Sequence, residues 1–529
     1  MKLLSKFSHD QQGFTIPTLL SFIIVISILF AAVVETTLTN YSVVGNNLQS
    51  QKAFNVAESG INYYLWHMSH NPTDYKDGQA TPATPDPTLG YGPYVHNFYD
   101  ANAVKQGTYT IWIQPPVNGS TVVKVRSIGK AVGSGAIRTI EAQIGAASFA
   151  SYGVVSDSAL WFGNTETAVG PVLSNQGVRM DGANTSTVSS PNATYIPSDS
   201  LGGDGSSHPG VWCNASVTTP VNCSTRDKSN WLFPAPAVDF TQVTGSLCTI
   251  KKAAFAAFSA TSALAGQANA CSQTPNTRTP AYLPRVNSSY SLTRGYLIQL
   301  NSNNTYDLYA VNGETDTATP YTNALSLQSI ATGVAVPSVG VIFAEDNVWV
   351  RTNPTFSGRL SIAAGRLASA SSQGDIVIAD DVLYGTKNGS DALGLIAQDS
   401  VLIAPYAPPA SGSFNFEVDA AVLAQNGEVM YPGVYRSNSS RCTRGWINSN
   451  QTLTFYGSVA TRQTWTWTWL DGNNSCGDAA HDTTIPSYIS GVEHNSTQFD
   501  NNLQYSPPPK YPSTNGYTVL SWREVLTHP

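Results

Sequence analysis

The sequence predicts an α+β protein that is mainly β, with a long N-terminal helix, a small antiparallel sheet and then a parallel β-solenoid. Three observations predict this fold: an apolar run from Phe14 to Val34, three strand-like runs after residue 107, and a motif that recurs from Gly153 onward. The chain has 529 residues, enough for two or three domains with ample core.

The apolar run is expected to be a retained transmembrane helix. It has 21 residues, and as a helix it would reach about 31 Å, enough to cross the hydrocarbon core of a bilayer. Lys2 and Lys6 precede it, but Glu35 follows directly, without the small-x-small site at which a secretory signal is removed. The only plausible processing point therefore precedes the run, between Gly13 and Phe14.

The helix is expected to continue beyond the membrane as an amphipathic helix. Apolar residues recur at steps of three and four, which is the spacing of one helix face. They are Val34, Leu38, Tyr41, Val44, Leu48, Ala57, Ile61, Leu65 and Met68. Asn71 and Pro72 should end the helix. We therefore predict a helix over 14–68, with 14–34 in the membrane.

The polar leader 1–13, followed by Phe14 and an apolar helix, resembles the leader of type IV prepilins. The resemblance implies that a prepilin peptidase cuts after Gly13 and methylates Phe14. Thr18 departs from the pattern, because most members of this family carry Glu there. The stretch KAFNVAESGINYYL (52–65) is similar to that of PilX-type minor pilins. An ordinary single-span anchor is the alternative.

Composition indicates an extracellular protein. Charged residues make up 12% of the chain and the net charge is −7, which does not favour a nucleic-acid or acidic-membrane partner. The six cysteines form no C-x-x-C pair, so disulfides are expected rather than zinc or redox chemistry. Many pairings are compatible with this spacing. The nearest-neighbour choice is Cys213–Cys223, Cys248–Cys271 and Cys442–Cys476.

A small head sheet is predicted over 69–146. Residues 69–107 are rich in Pro, Gly and Tyr and are expected to be a connector. Three strand-like runs follow, separated by turn signals: TYTIWI, TVVKVRSI and AIRTIEAQI.

Residues 147–515 are predicted to form the solenoid. Each copy of the motif has a few β-type apolar residues, a small residue, two or three polar residues and then apolar alternation. The small residues are Ser156, Ser174, Ala344, Ala363, Ala379, Ala397, Ala424 and Ala460. Ser156 and Ser174 are 18 residues apart, a spacing that suits stacked rungs with a small residue at each corner. A β-sandwich is the alternative.

Two stretches do not follow the motif. Residues 182–335 are expected to be an insertion or irregular rungs, with an Ala-rich helix from Lys251 to Ala270. Residues 516–529 are assigned to a C-terminal tail. The end of the chain, with SPPPKYP and SWREV, is similar to that of large minor pilins with a β-solenoid head, including the ComZ-type subunits of DNA-uptake pili.

No catalytic, cofactor or metal site is predicted. The acids of the motif lie at its polar turn, where Asp and Asn are expected for backbone reasons; they are Glu345, Asp346, Asp380, Asp381 and Asp399. His67 and His70 have helical spacing but no third ligand nearby in sequence. The protein is not expected to be an enzyme.

One aromatic stretch is a candidate contact surface. Trp465, Trp467 and Trp469 alternate with Thr, so in one strand their rings would share a face. Three arginines close in sequence, Arg436, Arg441 and Arg444, could complete a surface that stacks on sugars or single-stranded nucleic acid. Packing in the core is the favoured interpretation, because large aromatic side chains most often serve packing.

Taken with the resemblance, these features predict a minor pilin, expected at or near a pilus tip, with a role in assembly, surface adhesion or DNA capture. Its expected partners are other pilin subunits, the prepilin peptidase and the inner-membrane assembly platform. A glycan, a host surface and DNA are the ligands considered for its head. It would cross the cytoplasmic membrane once and then join the pilus at the cell surface. The alternatives are a pseudopilin of a type II-like secretion system and, less favoured, a membrane-anchored β-helix carbohydrate-active protein.

Overall fold

Helix α1 runs without a break from Thr15 to His70 and opens the fold. A computed structural model of the full chain describes residues 15–71, 74–79, 84–116, 122–164, 166–214, 223, 226–256, 258, 270–285, 294–314, 324–369, 373–404, 407, 414–432, 451–463, 465–471, 488–492 and 494–526. Within these residues the chain is mainly β and of the α+β class, which confirms the predicted fold class. The helix ends two residues later than predicted.

The strands follow in chain order. The first four are β1 (Tyr91–Tyr99), β2 (Lys105–Gln114), β3 (Val123–Ala131) and β4 (Ile137–Ser148). Short strands come next: β5 (Val154–Ser156), β6 (Leu160–Phe162), β7 (Thr167–Ala168), β8 (Val172–Ser174), β9 (Val178–Met180), β10 (Ala183–Asn184), β11 (Val188–Ser189), β12 (Thr194–Tyr195), β13 (His208–Pro209), β14 (Val211–Trp212) and β15 (Trp231–Leu232). Helix α2 spans Gln242–Phe255.

After α2 the strands resume. They are β16 (Tyr282–Leu283), β17 (Gly295–Asn301), β18 (Thr305–Glu314), β19 (Leu325–Ala335), β20 (Val341–Ala344), β21 (Val348–Asn353), β22 (Arg359–Ala364), β23 (Ile376–Ile378), β24 (Ala392–Ala397), β25 (Val401–Ile403), β26 (Phe414–Ala424), β27 (Val429–Met430), β28 (Gln451–Thr461), β29 (Trp465–Thr466), β30 (Thr468–Asp471), β31 (Tyr488–Gly491), β32 (His494–Phe499) and β33 (Ser513–Val525). Single 3₁₀ turns lie at Phe149–Ser151, Asp199–Leu201, Ala270–Ser272 and Asn501–Gln504.

The described chain divides into two compact units. The head unit contains the described residues of Met1–Gln114, Lys124–Gln143 and Ser521–Pro529, and the solenoid unit those of Pro115–Val123 and Ile144–Leu520. From the sequence, the head was expected to end near residue 146 and a separate tail to begin at residue 516.

A head sheet is formed by strands from both ends of the sequence. Among the described residues its order is β1-β2-β3-β4-β33, and β1, β2 and β3 are antiparallel. Strand β1 lies in the stretch that was expected to be a connector, and β33 contains most of the expected tail. Strand β1 lacks the alternation of buried aliphatic and exposed polar residues by which a strand is predicted from sequence. No residue of β1 is fully buried, and its half-buried positions are filled mainly by Tyr, His and Phe.

Most copies of the predicted motif fold as a strand, a polar corner and a second strand. The first strand of each pair joins a large sheet, whose order in the described chain is β15-β11-β8-β5-β28-β26-β24-β22-β20-β16 with β32 also paired to β28. The second strand of each pair joins one of two other sheets. One is called the second sheet here and has the order β19-β18-β17-β21-β23-β25-β27-β29; the other is shorter and has the order β14-β9-β6. The copies that contain Ala363 and Ala379 together make one such pair, β22 with β23.

The order of the rungs in space differs from their order in the chain. From β5 the rungs extend to β15 at one edge of the large sheet, and after α2 the chain resumes with β16 at the opposite edge. They then return as far as β28, which pairs in parallel with β5, so that Val459 lies beside Val154 and Thr461 beside Ser156. The last long rung therefore closes onto the first.

The small residues at the corners form one column, displaced by one position from the prediction in two rungs. Paired neighbours along the column are Ala344, Ala364, Ala397, Ala424, Thr461, Ser156 and Ser174. Ala363 and Ala460 were expected at corners. Each lies one residue before the corner residue, Ala364 or Thr461, and therefore on the other face of the sheet, because side chains alternate along a strand. Ala379 follows β23 in the second sheet.

The large sheet is buried on both faces. Ile362 belongs to one apolar cluster and its neighbour Ala363 to another, and the second cluster includes the buried face of α2. That face consists of Val243, Leu247, Ile250 and Ala254. Two-sided burial explains why the strands read as continuous apolar runs instead of alternating ones.

Residues 182–335 were expected to be an insertion or irregular rungs. They contain strands that belong to the rungs, helix α2 and three strands, β17, β18 and β19, that are joined as antiparallel neighbours. Strand β17 is parallel to β21 but antiparallel to β18, and β18 is antiparallel to β19. The helix begins before Lys251 and ends at Phe255, so it is earlier than predicted. Residue 257 and residues 259–269 of the predicted helix lie outside the described residues.

Candidate functional site: the N-terminal helix and its head

The first half of α1 presents an apolar surface to its surroundings. Thr15 to Val34 contains no charged residue, and Phe22 and Phe30 are 71% and 70% exposed. The hydroxyls of Ser21 and Ser27 donate to backbone carbonyls four residues earlier, so these polar groups are satisfied within the helix. The helix is long and apolar enough to cross a membrane.

The apolar stripe continues past the membrane-length segment. Leu38, Tyr41 and Val44 are 66%, 81% and 65% exposed, although they follow Glu35. Such a contiguous exposed stripe is unusual on a soluble protein and marks a contact surface. The helix therefore offers an apolar face both within and beyond the length of a bilayer.

From Ala53 onward the same helix packs on the head sheet. Its buried apolar side chains are Ala53, Val56, Ala57, Ile61, Tyr64 and Met68, and this part of the helix meets Gly107 of β2 and Gly129 of β3. Gly60 allows this approach, because a Cβ there would lie 2.9 Å from the Tyr109 ring and overlap the Ser127 hydroxyl. The AESGIN stretch (57–62) thus supplies one of the close contacts between helix and sheet.

A network of Asp, His and Tyr side chains fixes the end of α1. Asp77 is buried, accepts from the Tyr63 hydroxyl at 2.9 Å, and lies 2.7 Å from Nε2 of His96. Asp74 lies 3.1 Å from Nε2 of His67. Burial opposes ionisation of Asp74, yet its pKa is lowered because the backbone N–H groups of Lys76 and Gly78 donate to it.

The tyrosines of this network are held neutral. Burial, followed by hydrogen bonding to Asp77, raises the pKa of Tyr63, and burial beside Asp77 raises the pKa of Tyr109 to about 12. This network was not predicted from the sequence. The available signal was the pair Tyr63 and His67, one helical turn apart, followed by two aspartates just after the helix.

His67 and His70 have different partners. His67 faces Asp74, whereas Nδ1 of His70 lies 2.8 Å from the carbonyl oxygen of Trp66. Among the described residues no group of three or more His, Cys, Asp or Glu side chains is arranged to hold a metal ion.

The structure places two of the three tryptophans of the candidate contact surface in the solenoid core. Trp467 is 4% exposed, lies 5.6 Å from the ring of Phe455, and donates its indole N–H to Thr497. The half-buried Trp465 packs edge-on against Trp467. The chain bends at Trp467 between β29 and β30, so the three tryptophans do not share one strand. Trp467 is therefore a core residue instead of part of a contact surface.

Several predicted site residues lie outside the described residues. They are Gly13, Phe14, Arg436, Arg441, Arg444, Cys442 and Cys476, together with the side chain of Trp469. The structure joins Cys213 to Cys223 and Cys248 to Cys271, with Cα atoms 5.8 Å and 5.1 Å apart.

The acids of the motif are engaged at the corners of the rungs. Glu345 lies 2.5 Å from Nζ of the fully buried Lys251 and accepts from the hydroxyl of Tyr282. Burial raises the pKa of Glu345 and lowers that of Lys251. Asp346 pairs with Arg366. These contacts tie α2 and neighbouring rungs together, which is a structural role.

Three comparisons with known proteins complete this description. No protein-family model matches the chain, and no curated protein matches it. Among solved structures, the crystal structure of the competence-associated pilin ComZ from Thermus thermophilus is similar over 91% of this chain and 98% of that chain. The identity is 12% and the TM-score is 0.26. At that TM-score, the function has to be argued from the chain itself.

Proposed function

We propose that this protein is a minor pilin of a type IV pilus. The observation that carries the proposal is the division of α1: residues 15–34 expose an uncharged apolar surface, and the helix from Ala53 onward packs on the head sheet. A helix of this kind can lie in lipid before assembly and pack against equivalent helices of other subunits afterwards. Both environments replace water around the same apolar side chains.

The leader supports a pilin rather than an ordinary anchor. In the proposal, a prepilin peptidase removes residues 1–13 and methylates the new N-terminus at Phe14. Pro17 then lies in the first turn of the mature helix, where its missing N–H costs no hydrogen bond. The chain crosses the cytoplasmic membrane once, and the inner-membrane assembly platform moves it into the filament.

We further propose a place at or near the tip. Thr18 stands where most pilins have a Glu that meets the N-terminal amine of a neighbouring subunit. Without that carboxylate, an incoming amine would be left unpaired in lipid, which is costly. The solenoid unit is also far larger than the head unit, so a position with open space around it suits this subunit. There it would serve assembly, adhesion to a surface or DNA capture, without catalysis.

Replacing Gly13 by Leu tests the proposal, because a bulky side chain should block the peptidase. The variant should accumulate at full length in the membrane fraction and be absent from sheared filaments, whereas the wild-type chain is found in both. Gly135→Leu is a control outside α1, since Gly135 lies in the turn before β4 and has open space around it. Recovery of the wild-type chain only with secretion-system components would instead identify a pseudopilin.

A further inference from the structure

An open groove of about 540 Å³ lies on the head sheet, within the head unit. Along β2 and β3 the residues alternate: Ile111 and Ile113 are buried on the same face as Tyr109, which meets Gly60 of α1, whereas Trp112 and Arg126 point to the opposite face. Trp112 and Arg126 are direct neighbours across the two strands. The groove is therefore built on rigid sheet positions on the side away from the helix.

A charged cluster fixes the floor of the groove. Glu141 accepts from Nε of Arg126 at 2.9 Å through one oxygen and from Arg523 at 2.8 Å through the other. Burial opposes ionisation of Glu141, but the two guanidinium groups outweigh it and lower its pKa. The carboxylate thus holds both arginines in place while parts of their guanidinium groups still face the groove.

The cations outnumber the acids in this groove. Lys124, Arg126 and Arg523 line it, and Glu141 is the single acid among its lining residues. Lys124 is exposed, and the side chain of Arg523 is 76% exposed. The groove thus carries a net positive charge, although the whole chain has a net charge of −7. A positive groove favours an anionic ligand.

Aromatic and amide groups accompany the charges. Trp112 lines the groove, as do the amide side chains of Gln114 and Gln143, whereas the ring of Trp522 lies 6.0 Å from that of Phe54 on α1. Aromatic rings stack on the apolar faces of sugar rings, while amides and guanidinium groups bond pairs of hydroxyls and carboxylates. The combination suits a ligand that carries hydroxyl groups and carboxylates on a flat ring.

We propose that this groove binds an acidic oligosaccharide, with a sugar ring on Trp112 and a sugar carboxylate near Arg523 and Lys124. A single-stranded nucleic acid is the less favoured occupant, because proteins bind single strands by stacking successive bases on several rings, and Trp112 is the one aromatic ring of the groove lining that does not pack on α1. The inference depends on the proposed function only in placing the groove outside the cell.

Calorimetric titration of the purified full-length chain in detergent, with trigalacturonate as the acidic probe, tests this site. Maltotriose serves as the neutral probe and oligothymidylate as the nucleic acid. Trp112→Thr and Arg523→Gln should each weaken trigalacturonate binding by about tenfold or more. Lys105→Gln removes an exposed charge from the other end of β2 and should leave binding unchanged.

The acidic probe should bind the wild-type chain at least about tenfold more tightly than maltotriose. Absence of trigalacturonate binding, equal binding by Trp112→Thr, or tighter binding of oligothymidylate that Trp112→Thr abolishes would each overturn the proposal. Filament preparations distinguish the two proposals. If the wild-type chain is present in filaments but does not bind, the groove inference alone fails, and if the chain is absent from filaments, the pilin assignment fails.

Discussion

A Cβ atom added to Gly129 would overlap the carbonyl oxygen of Ala53, because β3 and α1 touch backbone to backbone at this point. The same atom would lie 2.8 Å from Cα of Ala57, so neither neighbour is a flexible side chain that could move aside. The contact joins the second half of the helix to the head.

Gly129→Ala should therefore loosen the head. We expect a loss of about 1–3 kcal/mol, the usual cost of overpacking a closely packed site. Hydrogen exchange of the β2 and β3 amides in the full-length chain would measure it. Gly135→Ala, in the turn before β4 where a Cβ meets nothing within 4 Å, is the matched control and should change stability by less than about 0.5 kcal/mol. Equal exchange in both variants would contradict the packing described for α1.

Trp467→Ser should destabilise the solenoid unit. The indole is buried in the core, so its removal should cost about 3–5 kcal/mol in the free energy of unfolding. Denaturant unfolding followed by exchange protection of β28 would show the loss. Trp66→Ser, at a 59% exposed position of α1, should cost about 1 kcal/mol or less. If Trp467→Ser abolishes surface binding without a loss of stability, the core assignment fails.

Stability should depend on pH through Asp381. Burial, with help from Asp380, Glu417 and Asp419, raises the pKa of Asp381 from 3.8 to about 6, and Lys387 pairs with the last two of these acids. Because the folded state holds the proton more tightly, ionisation of Asp381 destabilises it. This cost is absent below the unfolded pKa, grows up to the folded pKa, and is full above it.

Asp381→Asn should thus stabilise the protein by about 1 kcal/mol near pH 8, after allowance for solvent screening, and give no gain near pH 4. Thermal unfolding at the two pH values measures the difference. Asp227→Asn is a suitable control, since hydrogen bonds from Ser229 lower the pKa of that exposed carboxylate and no gain is expected at high pH. A gain for Asp381→Asn that is equal at both pH values would contradict the assignment.

Removing the Cys248–Cys271 link by a double Cys→Ser substitution should destabilise α2 and its surroundings by about 3 kcal/mol through loop closure. Peptide mapping without reduction checks the pairing. It should find Cys213 with Cys223 and Cys248 with Cys271, and we predict Cys442 with Cys476 as the third pair. Free thiols, or a link between 213–271 and 442–476, would contradict this set.

The sequence predicted the elements whose apolar pattern is regular. The apolar residues that recur at steps of three and four from Val34 to Met68 predicted the C-terminal end of α1 to within two residues. The recurring motif predicted stacked parallel strands. Both patterns reflect burial along one face, which repeats with the period of the element.

Other features have no local signal in the sequence. Strand β1 has no fully buried residue, and β33 joins the head sheet only because the chain returns from the solenoid. The pairing of β28 with β5 links residues about 300 positions apart, so no repeat spacing could reveal it. The corner lies at Ala364 and not at Ala363, so each residue of this strand occupies the opposite face from the one predicted. The sequence of a short Ala-rich strand specifies its register only weakly, because small side chains fit either face.

The same limits apply to the candidate site. The alternation of Trp465 and Trp467 with threonines is compatible with an exposed face as well as with a buried one. Their assignment to the core follows from the structure, in which the ring of Trp465 packs against Phe162 and that of Trp467 against Phe455. The groove beside Trp112 depends on residues from β2, β3, β4 and β33, which are brought together by the sheet order.

Mass spectrometry of the chain in sheared filaments tests the central claim most directly, because it reads both location and processing. If the protein is a minor pilin, the preparation contains it at low abundance, and its N-terminal peptide begins with N-methylated Phe14. A chain that retains Met1, a chain that starts beyond Val34, or a chain confined to the membrane fraction while other subunits are in the filaments would contradict the assignment.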